Sequence, residues 1–148
     1  MAIARGAGTE IIRTASFSDC DGAQDLIVGV QHHIYTVLSI VVCCRALDAA
    51  ADIFVIDFTG WDAGAGASGV TTRMLVQNVP VHGTFVWNDK FSFNGTEPTG
   101  ISGTLNTAAE QDAIADQGSA TAQKLHFDCT HADDDFDIWV TFIDQNNA

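Results

Sequence analysis

The sequence predicts an all-β protein, an antiparallel β-sandwich of the jelly-roll kind with about eight or nine strands and at most one short helix. Three observations lead there. Runs rich in β-branched and aromatic residues recur along the chain, separated at short intervals by Gly, Pro, Asn and Asp. The strongest run, Ile34 to Cys44 (IYTVLSIVVCC), is far too short to span a bilayer and reads as a buried strand. One stretch alone, Thr107 to Gly118, carries helix-boundary signals.

Taken in order, the small and largely apolar segment 1–9 reads as an N-terminal arm, and residues 10–148 as a single domain large enough for one core. Glu10 to Phe17 and Asp25 to Val30 are the first strands, with a turn at Ser18 to Gly22 between them. In the central run, strict alternation sends Ile34, Thr36, Leu38, Ile40, Val42 and Cys44 to one face. Tyr35, Val37, Ser39, Val41 and Cys43 go to the other. Both sets are mostly apolar, so both faces call for cover: one by the domain's own core, the other by a second layer or a neighbouring subunit. On this reading Tyr35, Val37 and Val41 are interface candidates.

Asp52 to Thr59 follows as a strand, and Gly60 to Gly69, small residues around Trp61, as a flexible loop. Thr72 to Val79 ends at Pro80, which cannot donate to a ladder. Gly83 to Phe93 alternates clearly, with Phe85, Trp87, Phe91 and Phe93 on one side. Asn88-Asp89 leaves open whether this is one long strand or two short ones. A short strand at Gly100 to Leu105 is followed by the helical candidate, where Thr107 and Glu110 have capping-box spacing. Lys124 to Thr130 and Phe136 to Ile143 close the chain around an acidic turn. Alternation puts Trp139 with Asp137 and Thr141, away from Phe136, Ile138 and Val140, which makes it the best candidate for an exposed or interfacial ring.

Charge narrows the function classes. Six basic residues against nineteen acidic ones give a net charge of −13, and the six are scattered singly. No patch could neutralise a run of phosphates, so neither nucleic acid nor an anionic membrane is an expected partner. The N-terminus lacks a signal-peptide core and no segment reaches the ~18 apolar residues of a span, so the expectation is a protein made and used without export. The four cysteines read as free thiols, with adjacent Cys43 and Cys44 on opposite faces.

Three motifs invite a chemical assignment. Gly64 to Gly69 matches G-x-G-x-x-G, but a strand pattern follows where a nucleotide site needs a helix. His126, His131 and Asp133 could hold a divalent ion, yet their spacing fits no ligand pattern, and Asp133 to Asp137 lacks the glycine and distal glutamate of a calcium loop. No nucleophile elbow or acylating-serine motif occurs. The expectation is a protein without catalytic residues, metal or cofactor.

The succession Asp25-Leu-Ile-Val-Gly-Val30, His33-Ile-Tyr-Thr-Val-Leu-Ser-Ile-Val-Val42, Thr84-Phe-Val-Trp-Asn-Asp-Lys-Phe91 and Leu125-His-Phe-Asp-Cys129 resembles small accessory virion proteins of tailed bacteriophages. The likeness is one of rhythm over residues 10 to 143, and it departs at Asp48 to Gly69 and Leu105 to Ala122. It implies a capsid decoration or cement protein: a homotrimer bound to the major capsid protein on the shell exterior, assembled in the host cytoplasm. Ile3 in the arm, Trp61 and Trp139 join Tyr35, Val37 and Val41 as candidate contacts. A tail or neck protein and a carbohydrate-binding jelly roll are the rival readings.

Overall fold

The structure is a computed structural model that describes residues 8–98, 103, 104, 106–110, 112 and 120–147. Nine strands follow one another: β1 (Glu10–Cys20), β2 (Gln24–Val28), β3 (His33–Ala46), β4 (Phe54–Asp62), β5 (Ala67–Gln77), β6 (Thr84–Trp87), β7 (Phe91–Asn94), β8 (Lys124–Cys129) and β9 (Asp135–Asn146). They form two antiparallel sheets. The first runs β1-β9-β3-β6 with β7 also on β3, and the second runs β2-β8-β4-β5. Those two orders are the jelly-roll arrangement of two interlocked Greek keys.

The core lies between the sheets, and a cluster of aromatic rings bridges the two layers within it. Phe136 of the first sheet meets Phe54 and Phe127 of the second at 5.7 and 5.5 Å, and Phe58 reaches across to Phe93 at 5.1 Å. These edge-to-face contacts suit rings that approach from opposed layers. At one end of the core the buried carboxylate of Asp144 accepts from Arg13 Nη1 at 3.0 Å and lies 2.6 Å from His33 Nδ1, so it ties β1 and β3 to the strand between them.

Strict alternation fails in β3. Its buried side chains are Tyr35 and Val37, then Ile40, Val42 and Cys44. The register against β9 steps from Val37–Phe142 to Ser39–Thr141, so Leu38 is an extra residue and the strand changes parity there. Tyr35 and Val37, expected at an interface, are therefore core residues. Val41, expected with them, is on the outer face. The outward face of this strand is the second of the two the sequence asked to be covered.

Gly60 to Gly69, expected as a flexible loop, is instead the β4–β5 hairpin. Asp62 Oδ1 accepts from the amides of Gly64 and Ala65 at 2.8 and 3.1 Å, and its carbonyl accepts from Gly66, whose φ of +65° suits glycine. From outside the hairpin, Glu97 accepts from Gly69 N at 2.8 Å and from Ser68 Oγ. The first strand also runs on to Cys20, into the turn expected at Ser18 to Gly22, by way of a register shift around Asp19, whose φ is +54°.

The long-strand question resolves into two strands laid end to end. β6 pairs with Ile40 to Cys43 and β7 with Ile34 to Val37, so together they make one edge interrupted at Asn88 to Lys90. Trp87 packs on Phe91 and donates Nε1–H to Asp89 O at 2.8 Å. The capping box is present, with Glu110 Oε2 accepting from Thr107 N at 3.0 Å and Thr107 Oγ1 from Glu110 N at 3.3 Å. Most of the helix beyond it, and most of the strand expected at Gly100 to Leu105, lie outside the described residues. Gly8 and Thr9 extend the β1–β9 ladder through bonds to Asn146; Ile3 lies outside the described residues.

Candidate functional site

Two surfaces concentrate the residues that could act on a partner or ligand, one on the outer face of each sheet. On the first sheet, cross-strand rows can be followed through the register. Ser16, Trp139, Val41 and Val86 stand side by side, then Thr14, Thr141 and Ser39, then Ile12, Ile143, Thr36 and Ser92. No charged residue occurs in these three rows. Ile12 is 70% exposed, Val86 54% and Trp139 38%, values high for large apolar side chains on a strand face. The threonines and serines bond among themselves, Thr14 to Thr141 at 3.2 Å and Thr36 to Ser92 at 2.8 Å, so the face is largely self-satisfied as well as uncharged.

Charge flanks these rows, with Glu10 beyond them at one end and a cluster around Arg45 at the other. Arg45 bonds Asp19 at 2.7 Å and lies 3.6 and 3.7 Å from Asp137 and Asp135. Burial holds the Asp135 carboxyl above its ordinary range, against the pull of Arg45. His131 sits 3.6 Å from Asp133 and 3.9 Å from Asp48. The sequence grouped His126 with His131 and Asp133, but the fold separates them: His126 belongs to the other sheet, and Asp48 takes its place beside His131. Both groupings are close enough to share an ion, one of them with Arg45 already among its carboxylates.

On the second sheet the register aligns four titratable side chains across all four strands: Asp25 of β2, His126 of β8, Asp57 of β4 and Arg73 of β5. Asp25 Oδ1 lies 2.9 Å from His126 Nδ1, and Asp25 Oδ2 accepts from Lys124 Nζ at 3.0 Å. Burial pushes the Asp25 pKa up, but the bonds from Lys124 and His126 outweigh it, and the carboxyl titrates below its ordinary range. Arg73 Nε donates to the largely buried Asp57 carboxylate at 3.0 Å, which holds the guanidinium firmly charged. In the next row Thr59 pairs with both Lys124 and Thr71, the two hydroxyls 2.8 Å apart.

Asp25, His126, Asp57, Lys124, Thr59 and Thr71 line a cavity of about 420 Å³ that Glu97 and Asp128 complete, with Arg73 outside it. Its volume falls within the usual range of small-molecule sites. Sequence reading left this set out, because its members come from four strands. The available signal was Asp57, a carboxylate inside the apolar run Phe54 to Phe58. Trp61, singled out in the sequence, is half-buried on β4, its amide held by Gln123 Oε1 at 2.9 Å. All four cysteines are free, with Cys20 and Cys44 in the core.

No protein-family model matches the chain, and no curated protein does. Among solved structures, a chain from the disulfide-linked pili of Bacillus endospore appendages is similar at a TM-score of 0.42 and 9% identity, over 100% of this chain and 97% of that one. A likeness of that degree bears on neither family nor function.

Proposed function

We propose that the chain is a structural virion protein of a tailed phage, a capsid decoration protein that binds the shell exterior as a homotrimer and stabilises it. The observation that carries this reading is the set of three uncharged rows on the outer face of the first sheet, with Ile12, Val86 and Trp139 standing out and Val41 half-buried among them. On a molecule of net charge −13, it is a broad surface where acidic subunits could meet without facing like charges. A large exposed apolar patch on a folded domain is a contact surface in the ordinary case. Trimeric association and the major capsid protein as partner come from the resemblance of the strand succession to decoration proteins. The jelly roll is compatible with shell proteins and with much else.

The mechanism is thermodynamic. A protein that binds the assembled shell and not its free subunits stabilises assembly by mass action, and several copies joined in one oligomer add avidity. The test is quantitative mass spectrometry of purified particles of the source phage. The expected result is this chain in near-stoichiometric amount with the major capsid protein. A few copies per particle would assign it to the tail or neck, and absence from particles would overturn the reading.

A further inference from the structure

We propose that the cavity on the second sheet binds a polyhydroxylated ligand, a neutral or amino-bearing saccharide, held by the Asp25–His126 pair, Lys124, Thr59, Thr71 and Asp128. The argument starts from hydrogen-bonding capacity left over after internal bonds are counted. Asp25 occupies His126 Nδ1, which in the neutral ring puts the proton on Nδ1 and leaves Nε2 an acceptor. Lys124 spends one donor on Asp25 and keeps two. The bond between the Thr59 and Thr71 hydroxyls uses one proton and leaves the other. Asp128 accepts from the amide of Cys129 with one oxygen and has no cationic side chain in ion-pair range among the described residues.

Donors at Lys124 and a threonine hydroxyl therefore stand beside acceptors at His126 Nε2 and Asp128 along the lining of the cavity. Vicinal hydroxyls, each able to donate and accept, match that mixture. Other ligand classes match less well. An apolar ligand would strand the polar floor without partners. A phosphate or sulfate would meet four carboxylates, Asp25, Asp57, Glu97 and Asp128, against the single ammonium of Lys124. A simple metal ion has no ready ligand set, because these carboxylates do not converge on one point as the groups at the acidic end do. Apart from the imidazole no aromatic ring among the described residues lines the cavity, so recognition is through hydrogen bonds to the edges of the sugar. The site is on the sheet opposite the proposed assembly face, so either proposal can fail without the other.

The experiment uses the full chain, labelled with ¹⁵N. Its amide spectrum is followed during titration with maltotriose, cellotriose and chitotriose, with spermidine and inorganic phosphate as separate arms, and a glycan array of neutral, amino and acidic sugars widens the search. The expected result is saturable shifts at Thr59, Thr71, Lys124 and His126 with a neutral or amino sugar. They should be lost in Thr71→Trp, which fills the cavity from an exposed edge position, and weakened at least about tenfold in Lys124→Met, the equivalent of one charged hydrogen bond. A cooperative thermal unfolding transition in each variant shows that it is folded. No saturable binding in titration or array, binding that survives Thr71→Trp, or shifts produced by spermidine or phosphate alone would each overturn the assignment.

Discussion

The parity change at Leu38 makes a sharp prediction, because Val37 and Val41 are four residues apart and would share a face in an unbroken strand. Val37 is fully buried and Val41 is on the outer face. Cutting Val37 to Ala removes two carbons from the core, about 1.6 kcal/mol of transfer free energy at ~0.8 per carbon, and leaves a void that its neighbours fill only in part. The total is about 2–3 kcal/mol. The same cut at Val41 costs less than about 1 kcal/mol in an isolated molecule. With a urea dependence of roughly 2 kcal/mol per molar, the midpoints should fall by about 1–1.5 M for Val37→Ala and under about 0.5 M for Val41→Ala. Urea unfolding followed by tryptophan fluorescence reads both, at a dilution where light scattering gives the monomer. Equal shifts would refute the bulge and restore simple alternation. In the same pair, Val41→Glu should lower the oligomer mass seen in concentrated solution while leaving the fold intact, and Val37→Glu should leave no folded protein.

Three further outcomes follow from single sites. At pH 8 a thiol reagent should label Cys43 rapidly and Cys20, Cys44 and Cys129 only on unfolding, since burial and nearby aspartates such as Asp134 push the Cys129 thiol to about 11; more than one fast equivalent by absorbance would contradict this. Gly95→Ala would place its Cβ 1.9 Å from the carbonyl oxygen of Val30, a backbone atom that cannot swing aside, so calorimetry should show Tm lowered by at least about 5 °C. Lys124→Met should raise the Asp25 pKa, read by carboxyl NMR. Because the folded-state pKa of Asp25 is depressed, its contribution to stability is present above the unfolded value near ~3.9 and is lost as pH falls through the folded one. The variant should therefore lose less stability than wild type on acidification below about pH 4, and an identical acid limb would count against the Lys124–Asp25 bond.

What could be read from the chain was what is local. The strands followed from period-2 patterning, and the Thr107–Glu110 box from its spacing, because each is specified within a few residues. The parity of β3 was not legible, since nothing in the run IYTVLSIVVCC marks Leu38 as supernumerary; the register against β9 decides it. The hairpin at Gly60 to Gly69 read as a loop because glycine run and ordered turn look alike in sequence, and Glu97, one of the groups that bond it, lies 28 residues from Gly69. The Asp25–His126 pair spans 101 residues, and no pattern along the chain announces it. His126, His131 and Asp133 show the converse, neighbours in sequence that the sheets part.

The order of the sheets has a consequence for synthesis. In the first sheet β9 lies between β1 and β3, and in the second β8 lies between β2 and β4. The interior strand joining the early segments of each layer is therefore one of the last two of the nine described strands to be made. Until Asp135 to Asn146 emerges, β1 has no neighbour in its sheet and the inward side of β3 lacks Phe136, Ile138, Val140 and Phe142. The nascent chain must hold its long apolar β3 without that partner until β9 is made. This favours a folding step that is late, concerted and slow, of the kind that non-local pairing imposes. Chaperone demand should then peak between the synthesis of β3 and that of β9, before the sheets can close.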